Sequence, residues 1–303
     1  MNNRLTTACL LLLLLAAALF PQAALSRPAN DQQGVYRMGE VVVTGERDGV
    51  ESVGAVREIT ADEISNRGAR TLADALQLMP GLHLRTAARG APRVDMRGMR
   101  TRHVILLLDG VPFNSTLDGQ FDPSMISVEN IAKIKVSYGN HSVLYGEGGI
   151  GGVINIVTKK GQEGLRGMIG GEIGERNTYQ GTFNVSGAQE KIDFFVSGRA
   201  FDSDGFGLSG DFDPTPEQGK GLRVNSDREN YTLFANLGVT PRDDLLAGFI
   251  FHTVHGTSGA PPSTIDGGDF AQRLRHDRTE DLEGYTGQVS LQYNPSPAFE
   301  LRT

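Results

Sequence analysis

The 303-residue sequence has no tryptophan and a single cysteine, Cys9. One thiol builds neither a disulfide framework nor a multi-cysteine metal site, so packing and backbone hydrogen bonds must hold the scaffold. Positive charge is scarce: 29 Lys and Arg against 36 Asp and Glu leave a net charge of −7, without the basic field of a nucleic-acid binder. Hydrophobic residues reach only 39%. Apart from one N-terminal run, no stretch approaches the roughly 20 apolar residues of a membrane helix, which excludes a helical membrane bundle. There is no G-x-S-x-G, no H-E-x-x-H and no cysteine pair. The histidines (His83, His103, His141, His252, His255, His276) are scattered, and His252 and His255 lie on a strand-to-loop run without a shared helical face. The chain therefore does not read as an enzyme. Glycine is the excess: 39 residues, nearly twice the usual share of about 7%, which points to turns, bulges and closely approaching backbones.

The first segment reads as an address. Arg4, an apolar run from Ala8 to Phe20, Pro21 and then small residues form the n-region, h-region and exit of a secretory signal peptide, residues 1–26, with cleavage expected after Ser26. Cys9 precedes the apolar run, where a lipid-anchoring cysteine would follow it. The mature chain is then cysteine-free, which suits an oxidising periplasm.

The rest divides in two, as roughly 150 residues per domain suggests. Residues 27–49 are a polar lead that contains Glu40-Val41-Val42-Val43-Thr44-Gly45, a short extended segment with an available edge. Residues 50–160 read as a compact α+β domain. Strands are expected at Val53–Ile59, Leu82–Leu84, Val94–Arg97, Val104–Leu108, Ile131–Ser137 and Gly152–Thr158, with loops at Thr86–Pro92 and Phe113–Asp122. Helices are expected after two capping-box patterns, Thr60 with Glu63 and Thr71 with Asp74, the second stopped by Pro80-Gly81. Gly146-Glu147-Gly148-Gly149-Ile150-Gly151 fits G-x-G-x-x-G, but the β-branched run that follows offers no helix N-terminus to a phosphate. Close backbone approach is the reading for these glycines.

From about residue 165 the pattern has period two. Tyr179, Gly181, Phe183 and Val185 alternate with polar residues; so do Tyr231 to Val239, broken at Phe234, and Tyr285 to Tyr293. Ile192–Phe201 and Leu245–Thr253 are noisier. A soluble sandwich and an outer-membrane barrel both give this signal. Tyrosines near strand ends (Tyr179, Tyr231, Tyr285, Tyr293) and connections that alternate short with long favour the barrel. The tight turns are Gly187–Glu190, Thr240–Asp243 and Asn294–Pro297; the long loops are Asp202–Ser226 and Gly256–Thr279. Asp202, Asp204, Asp211 and Asp213 could bind Ca²⁺ through carboxylate oxygens or form an ordinary acidic surface loop.

These segments, in this order, resemble a TonB-dependent outer-membrane receptor. The match is densest at Ala55–Ile64, at Thr71–Leu82 (TLADALQLMPGL), at Asp95-Met96-Arg97-Gly98, at Val104–Pro112 (VILLLDGVP) and at Val136–Lys159 (VSYGNHSVLYGEGGIGGVINIVTK). Asn140 stands where that family usually has Pro, and Tyr138 where Arg is common. The resemblance implies an α+β plug followed by antiparallel transmembrane β-barrel strands in the outer membrane of a Gram-negative bacterium, in contact with its lipid. It implies a TonB box at Glu40, Val41, Val42, Val43, Thr44 and Gly45, which would engage TonB and its ExbB–ExbD motor by strand addition. It implies energy-coupled uptake of a scarce metal chelate of the ferric siderophore, haem or cobalamin class, with no required cofactor and no nucleic-acid partner. The plug loops that would meet the ligand carry Arg85, Thr86, Arg89, Phe113, Asn114, Asp118 and Gln120, the arginines suiting an anionic chelate. Arg97, Gly98, Asp109, Gly110, Tyr145, Gly146, Gly151 and Gly152 would be the plug's structural motif.

Residues 161–303 provide about six strands, with a seventh beginning at Ala298. A plug-enclosing barrel of this family has 22, so the expectation is an incomplete barrel, the N-terminal strands of a truncated or fragmentary form. The alternative is a non-transporting periplasmic or surface binding module, a plug with a defective barrel.

Overall fold

The computed structural model describes residues 56–86, 92–115, 118–123, 126–139, 147–216, 218–259, 261, 279–296 and 299–302. The signal segment, Glu40–Gly45, Arg89, Tyr145 and Gly146 lie outside the described residues.

The first half is built on five paired strands: β1 (Val56–Thr60), β4 (Val104–Leu108), β5 (Val111–Pro112), β6 (Ile131–Tyr138) and β7 (Gly152–Thr158), in the order β1-β6-β7-β4-β5. Only β4 and β7 run parallel. Every residue of these two central strands is buried, the polar Asn155 and Thr158 of β7 included. Between β1 and β4 lie two short helices, α1 (Ala61–Asn66) and α2 (Leu72–Gln77), and a separate hairpin of β2 (Leu82–Thr86) with β3 (Pro92–Met96). Leu72, Ala75, Leu76 and Met79 pack on Val104, Leu106, Ile134, Val136, Ile154 and Ile156 to form the main core.

The two helix starts differ. At α2 the capping box is complete: Thr71 Oγ1 accepts the Asp74 N–H, and the Asp74 carboxylate accepts the Thr71 N–H. At α1 it is half made. Thr60 Oγ1 accepts the Glu63 N–H at 3.3 Å, but the Glu63 carboxylate pairs with Arg67 one turn on instead of returning to the cap. β5, two residues long, carried no sequence signal apart from the Asp-Gly turn before it.

The second half is an unclosed antiparallel sheet of seven strands in sequential order: β8 (Gly164–Gly174), β9 (Thr178–Gln189), β10 (Ile192–Ser203), β11 (Arg228–Arg242), β12 (Leu245–Gly259), β13 (Thr279–Ser296) and β14 (Phe299–Arg302). Residue pairs Gln189–Ile192 and Arg242–Leu245 close two-residue turns at one end. At the other end, Gly174 faces Thr178 across a three-residue turn, whereas 204–227 and 260–278 are long connections. β10 and β12 run past the sequence estimate, to Ser203 and Gly259.

The two faces of this sheet are inverted relative to a soluble domain. Along β11, Asn230, Thr232, Phe234 and Asn236 are buried, whereas Tyr231 and Leu237 are exposed. Ile169 on β8 and Val289 on β13 are 89% and 77% exposed. Phe249, Tyr285 and Leu291 share that outer face. A water-soluble sandwich would bury the aliphatic face instead. Tyr179, Tyr231 and Tyr285 lie on the long-loop side of their strands, and Tyr293 lies near the turn end of β13.

Candidate functional site

The motif residues fall at both ends of β7: the Arg97–Gly98 turn lies beside Gly152 at its start, and the Asp109–Gly110 turn and the junction with the wall lie at Thr158 at its end.

Asp109 and Gly110 are the two central residues of the β4–β5 turn, with φ of 48° and 87°. Both positive values define a type I′ hairpin, for which Asp-Gly is suited. Asp109 is also the hub of a buried cluster. Its Oδ1 accepts the Thr158 N–H at 2.9 Å, and its Oδ2 bonds the Thr158 hydroxyl at 2.6 Å. The Gly110 N–H goes to Asn155 Oδ1 at 3.2 Å. Burial pushes the Asp109 carboxyl above the usual range, opposed by the two Thr158 hydrogen bonds and the charge of Lys160.

Arg97 and Gly98 repeat the device with φ of 48° and 84°, inside reciprocal backbone bonds between Met96 and Met99. The Arg97 guanidinium lies 4.3 Å above the Tyr138 ring, whose hydroxyl donates to Pro80 O. Tyr138 thus closes a contact with Arg97 of the structural motif. Beside this turn Asp95 binds Arg85 at 2.9 Å and Arg100 at 3.1 Å, and accepts from Thr101 N and Oγ1. Burial would raise the Asp95 carboxyl, but the Arg85 bond and charge, the Thr101 N–H and Arg100 outweigh it and hold it below the ordinary value.

The glycine run before β7 does what close approach requires. A Cβ on Gly152, at φ 143°, would sit 2.4 Å from Met96 Sδ and 2.5 Å from Ser137 O; one on Gly151 would sit 2.9 Å from His103 O. Glu147–Ile150 is a short 3₁₀ segment kinked at Gly149, and strand β7, not a longer helix, follows it.

The candidate ligand residues separate into two groups. Arg85 is committed to Asp95. Asn114 is a structural strut: its Oδ1 accepts the Leu106 N–H, and its Nδ2 donates to Val104 O and Gly119 O. Phe113 packs against the main core and meets the His252 ring edge-on at 6.5 Å. Each of these three side chains is engaged inside the fold. Asp118 and Gln120 stay at the surface, joined by a 2.9 Å bond, with Asp118 held below the carboxylate range chiefly by the Gln120 N–H. Thr86 ends β2. Asp202, Asp204, Asp211 and Asp213 are exposed. Asp204 accepts from Asn177 at 2.6 Å. No group of three or more acidic, His or Cys side chains that could hold a metal ion occurs among the described residues, so the sequence proximity of these acids does not become a cluster.

The junction with the wall was not legible in the sequence. Asn236 Nδ2 on β11 donates to Thr158 Oγ1 at 3.0 Å and to Lys159 O at 3.4 Å. The Ser197 hydroxyl on β10 bonds the Asn130 side-chain oxygen. An ion pair joins Arg70 to Glu172 on β8 at 2.6 Å. His252 and His255 both lie on β12: His252 is buried beside Phe234 and Phe113, and His255 faces outward, 3.3 Å from Glu283. Strand geometry, not a strand-to-loop change, separates them.

Comparison with known proteins agrees with this anatomy. Residues 48–153 match the family model of the TonB-dependent Receptor Plug Domain. The ferrienterobactin receptor of Escherichia coli K12 is 32% identical over 196 residues, covering 58% of this chain and 25% of that protein. The probable TonB-dependent siderophore receptor PirA of Acinetobacter baumannii is 30% identical, covering 58% and 24%. The chain thus matches about a quarter of the length of these relatives. Among solved structures, the Acinetobacter baumannii siderophore receptor PirA superposes with a TM-score of 0.61 at 18% identity, covering 78% of this chain and 37% of that one. FpvAI, in its complex with pyocin S2, gives 0.66 at 15%, covering 83% and 34%. These structural likenesses establish the fold: a plug followed by receptor-type barrel strands.

Proposed function

We propose that this chain, which carries a TonB-dependent receptor plug domain and the antiparallel receptor strands that follow it, works as the plug and adjoining wall of an outer-membrane receptor for energy-coupled uptake of a metal chelate. The relatives whose names specify siderophores, enterobactin and vitamin B12 support the chelate class. The observation that carries the reading is the inverted sheet: aliphatic and aromatic side chains face out, and Asn, Ser and Thr face in, where Ser197 and Asn236 bond the plug. A free binding module has no use for a sheet with an apolar outer face. That arrangement suits a wall between lipid and a protein-filled lumen.

In this mechanism the plug blocks the lumen, and the segment Glu40–Gly45 supplies an extended edge to TonB in the periplasm. Main-chain hydrogen bonds carry the pull from the ExbB–ExbD motor, so side chains matter less than backbone donors. The pair Asp118–Gln120 is a plug position proposed for ligand contact, and Arg89 is proposed on the sequence alone. The test is uptake of radiolabelled ferric siderophores, haem and cobalamin by outer-membrane-localised protein. Val42→Pro, which deletes a donor, is expected to abolish TonB-dependent uptake with ligand binding retained, whereas Val42→Ala is mild. Equal uptake by both variants, or absence of the chain from the outer-membrane fraction, refutes the reading.

A further inference from the structure

We infer that the buried patch made by Asn130 and Thr158 of the plug with Ser197 and Asn236 of the wall is a pivot, the corner about which the plug moves when the rest of it is displaced. The inference rests on the receptor reading above for its purpose, but its geometry stands apart from any ligand or from TonB.

The four side chains are 2–6% exposed. On the wall, Phe195 lies opposite Asn236 and Ser197 opposite Phe234, so Ser197 and Asn236 occupy adjacent strands one diagonal step apart on the lumen face. On the plug, Ile131 pairs with Thr158, and the Lys159 N–H returns to Asn130 O at 2.8 Å, so the two plug residues form one corner. Asn236 donates to Thr158 Oγ1 and Lys159 O, Ser197 bonds Asn130, and Thr158 leans on Asp109 through its N–H and hydroxyl. The plug–wall bonds at this corner are made by uncharged groups shielded from water, so neither salt nor pH releases them directly.

The covalent link to the wall starts at the same corner. Residues 159–163 run from Thr158 into β8, and Gly161 lies flat on the sheet: a Cβ there would be 2.1 Å from Gly187 O and 2.6 Å from Phe194 N. Here the plug is therefore held twice, by the chain and by buried hydrogen bonds. On the helical side, Arg70–Glu172 joins side chains that are 66% and 36% exposed, and water screens such a pair until it holds little. A displacement that enters through the N-terminal side of the plug meets the weaker attachment first.

Amide exchange of the full chain in detergent micelles, in increasing sub-denaturing urea, tests this. The Thr158 and Lys159 amides, bound by Asp109 Oδ1 and Asn130 O, are the reporters. In the unaltered chain, peptides covering α1 and α2 are expected to open first and the peptide over 156–161 last. The double variant Ser197→Ala/Asn236→Ala is expected to speed exchange over 156–161 by about tenfold, the loss of one to two net hydrogen bonds, and to leave 104–108 unchanged. Should the wall variants fail to insert, the plug-side pair decides. Thr158→Val should reproduce the acceleration and Thr158→Ser, which keeps the hydroxyl, should restore protection. The pivot is overturned if 156–161 opens with or before the helices, if the variants speed the whole plug uniformly, or if Thr158→Ser behaves like Thr158→Val. Exchange that follows the expected order while uptake is absent would sink the receptor reading alone.

Discussion

Replacing Asp109 separates the turn from the cluster it anchors. Asp109→Ala puts an alanine at φ 48°, a left-handed position that Asp and Asn tolerate and alanine does not, at about 1 kcal/mol. It also removes the acceptors of the Thr158 N–H and hydroxyl. A buried N–H left unsatisfied costs roughly 1–3 kcal/mol. Together the substitution should cost the plug about 2–4 kcal/mol. Asp109→Asn keeps the left-handed tolerance, an oxygen for the Thr158 N–H and a donor for its hydroxyl, and should stay within about 1 kcal/mol of the unaltered chain. The two variants also differ in pH response. Burial raises the folded carboxyl above its ordinary value, so its contribution is fully present below the unfolded pKa and is lost as pH rises through the folded one. Asp109→Asn lacks that loss. The assay is the urea midpoint of plug protection, read by limited proteolysis of the full chain at acid and neutral pH. An Asp109→Asn variant as damaged as Asp109→Ala, or an Asp109→Ala variant with an unmoved midpoint, would refute the reasoning.

Gly152→Ala should destabilise the plug by about 2–5 kcal/mol, since the new Cβ meets Ser137 O, a backbone atom that cannot turn aside, at 2.5 Å; a thermal scan showing an unchanged plug transition would contradict the close-packing account. Asp95, held low chiefly by Arg85, stabilises the plug above the ordinary carboxylate range and loses that contribution as pH falls through its lowered value. Asp95→Asn should therefore cost about 1–3 kcal/mol at neutral pH and less in acid, measured by the same proteolysis midpoints. Val289→Arg on the outer face should reduce insertion into lipid vesicles by the equivalent of about 2–4 kcal/mol, whereas Gln288→Arg, one residue along on the lumen face, should be tolerated. Equal insertion by the two would mean that the apolar face does not meet lipid.

Much of the plug was legible from local signals. The strands Val104–Leu108 and Gly152–Thr158 have the expected bounds because their aliphatic runs are delimited by residues no central strand accepts: His103 before one, Asp109-Gly110 and Lys159 after. The complete capping box at Thr71 follows from three-residue spacing alone. The half-made box at Thr60 shows the limit of that rule, since Arg67 at the next turn competes for Glu63. The internal bonds of the candidate ligand residues were less legible. Arg85 and Asn114 carry the right functional groups, yet whether a guanidinium or an amide is free depends on what folds beside it. Asp95 lies ten residues from Arg85, and the Asn114 amide is consumed by backbone on both sides. The wall bonds of Asn130, Thr158, Ser197 and Asn236 span 67 and 78 residues and have no local spacing at all.

The irregular strands of the wall are the informative ones. Alternation along β9 and β13 is clean: on the inner side Gln180, Thr182, Asn184 and Ser186, and Thr286, Gln288, Ser290 and Gln292. The pattern degrades in β10 and β12 and breaks at Phe234 in β11, where apolar residues occupy inward positions: Phe195, Phe234, Leu246, Ile250 and Val254, all buried. Phe195, Phe234 and Ile250 form one cluster, and Phe234 reaches Phe113 of the plug through the His252 ring. A water-filled lumen would select polar side chains on every inward position. A lumen occupied by protein replaces that rule wherever the occupant touches, because burying an inward aliphatic group against the plug is favourable by roughly 1.5–3 kcal/mol, whereas burying a polar group without a partner is costly. The noise in the period-two signal is therefore a footprint. It falls on the three consecutive strands that also supply Ser197, Asn236 and His252. In a chain of this kind, the strands whose alternation fails mark where the plug rests on its wall.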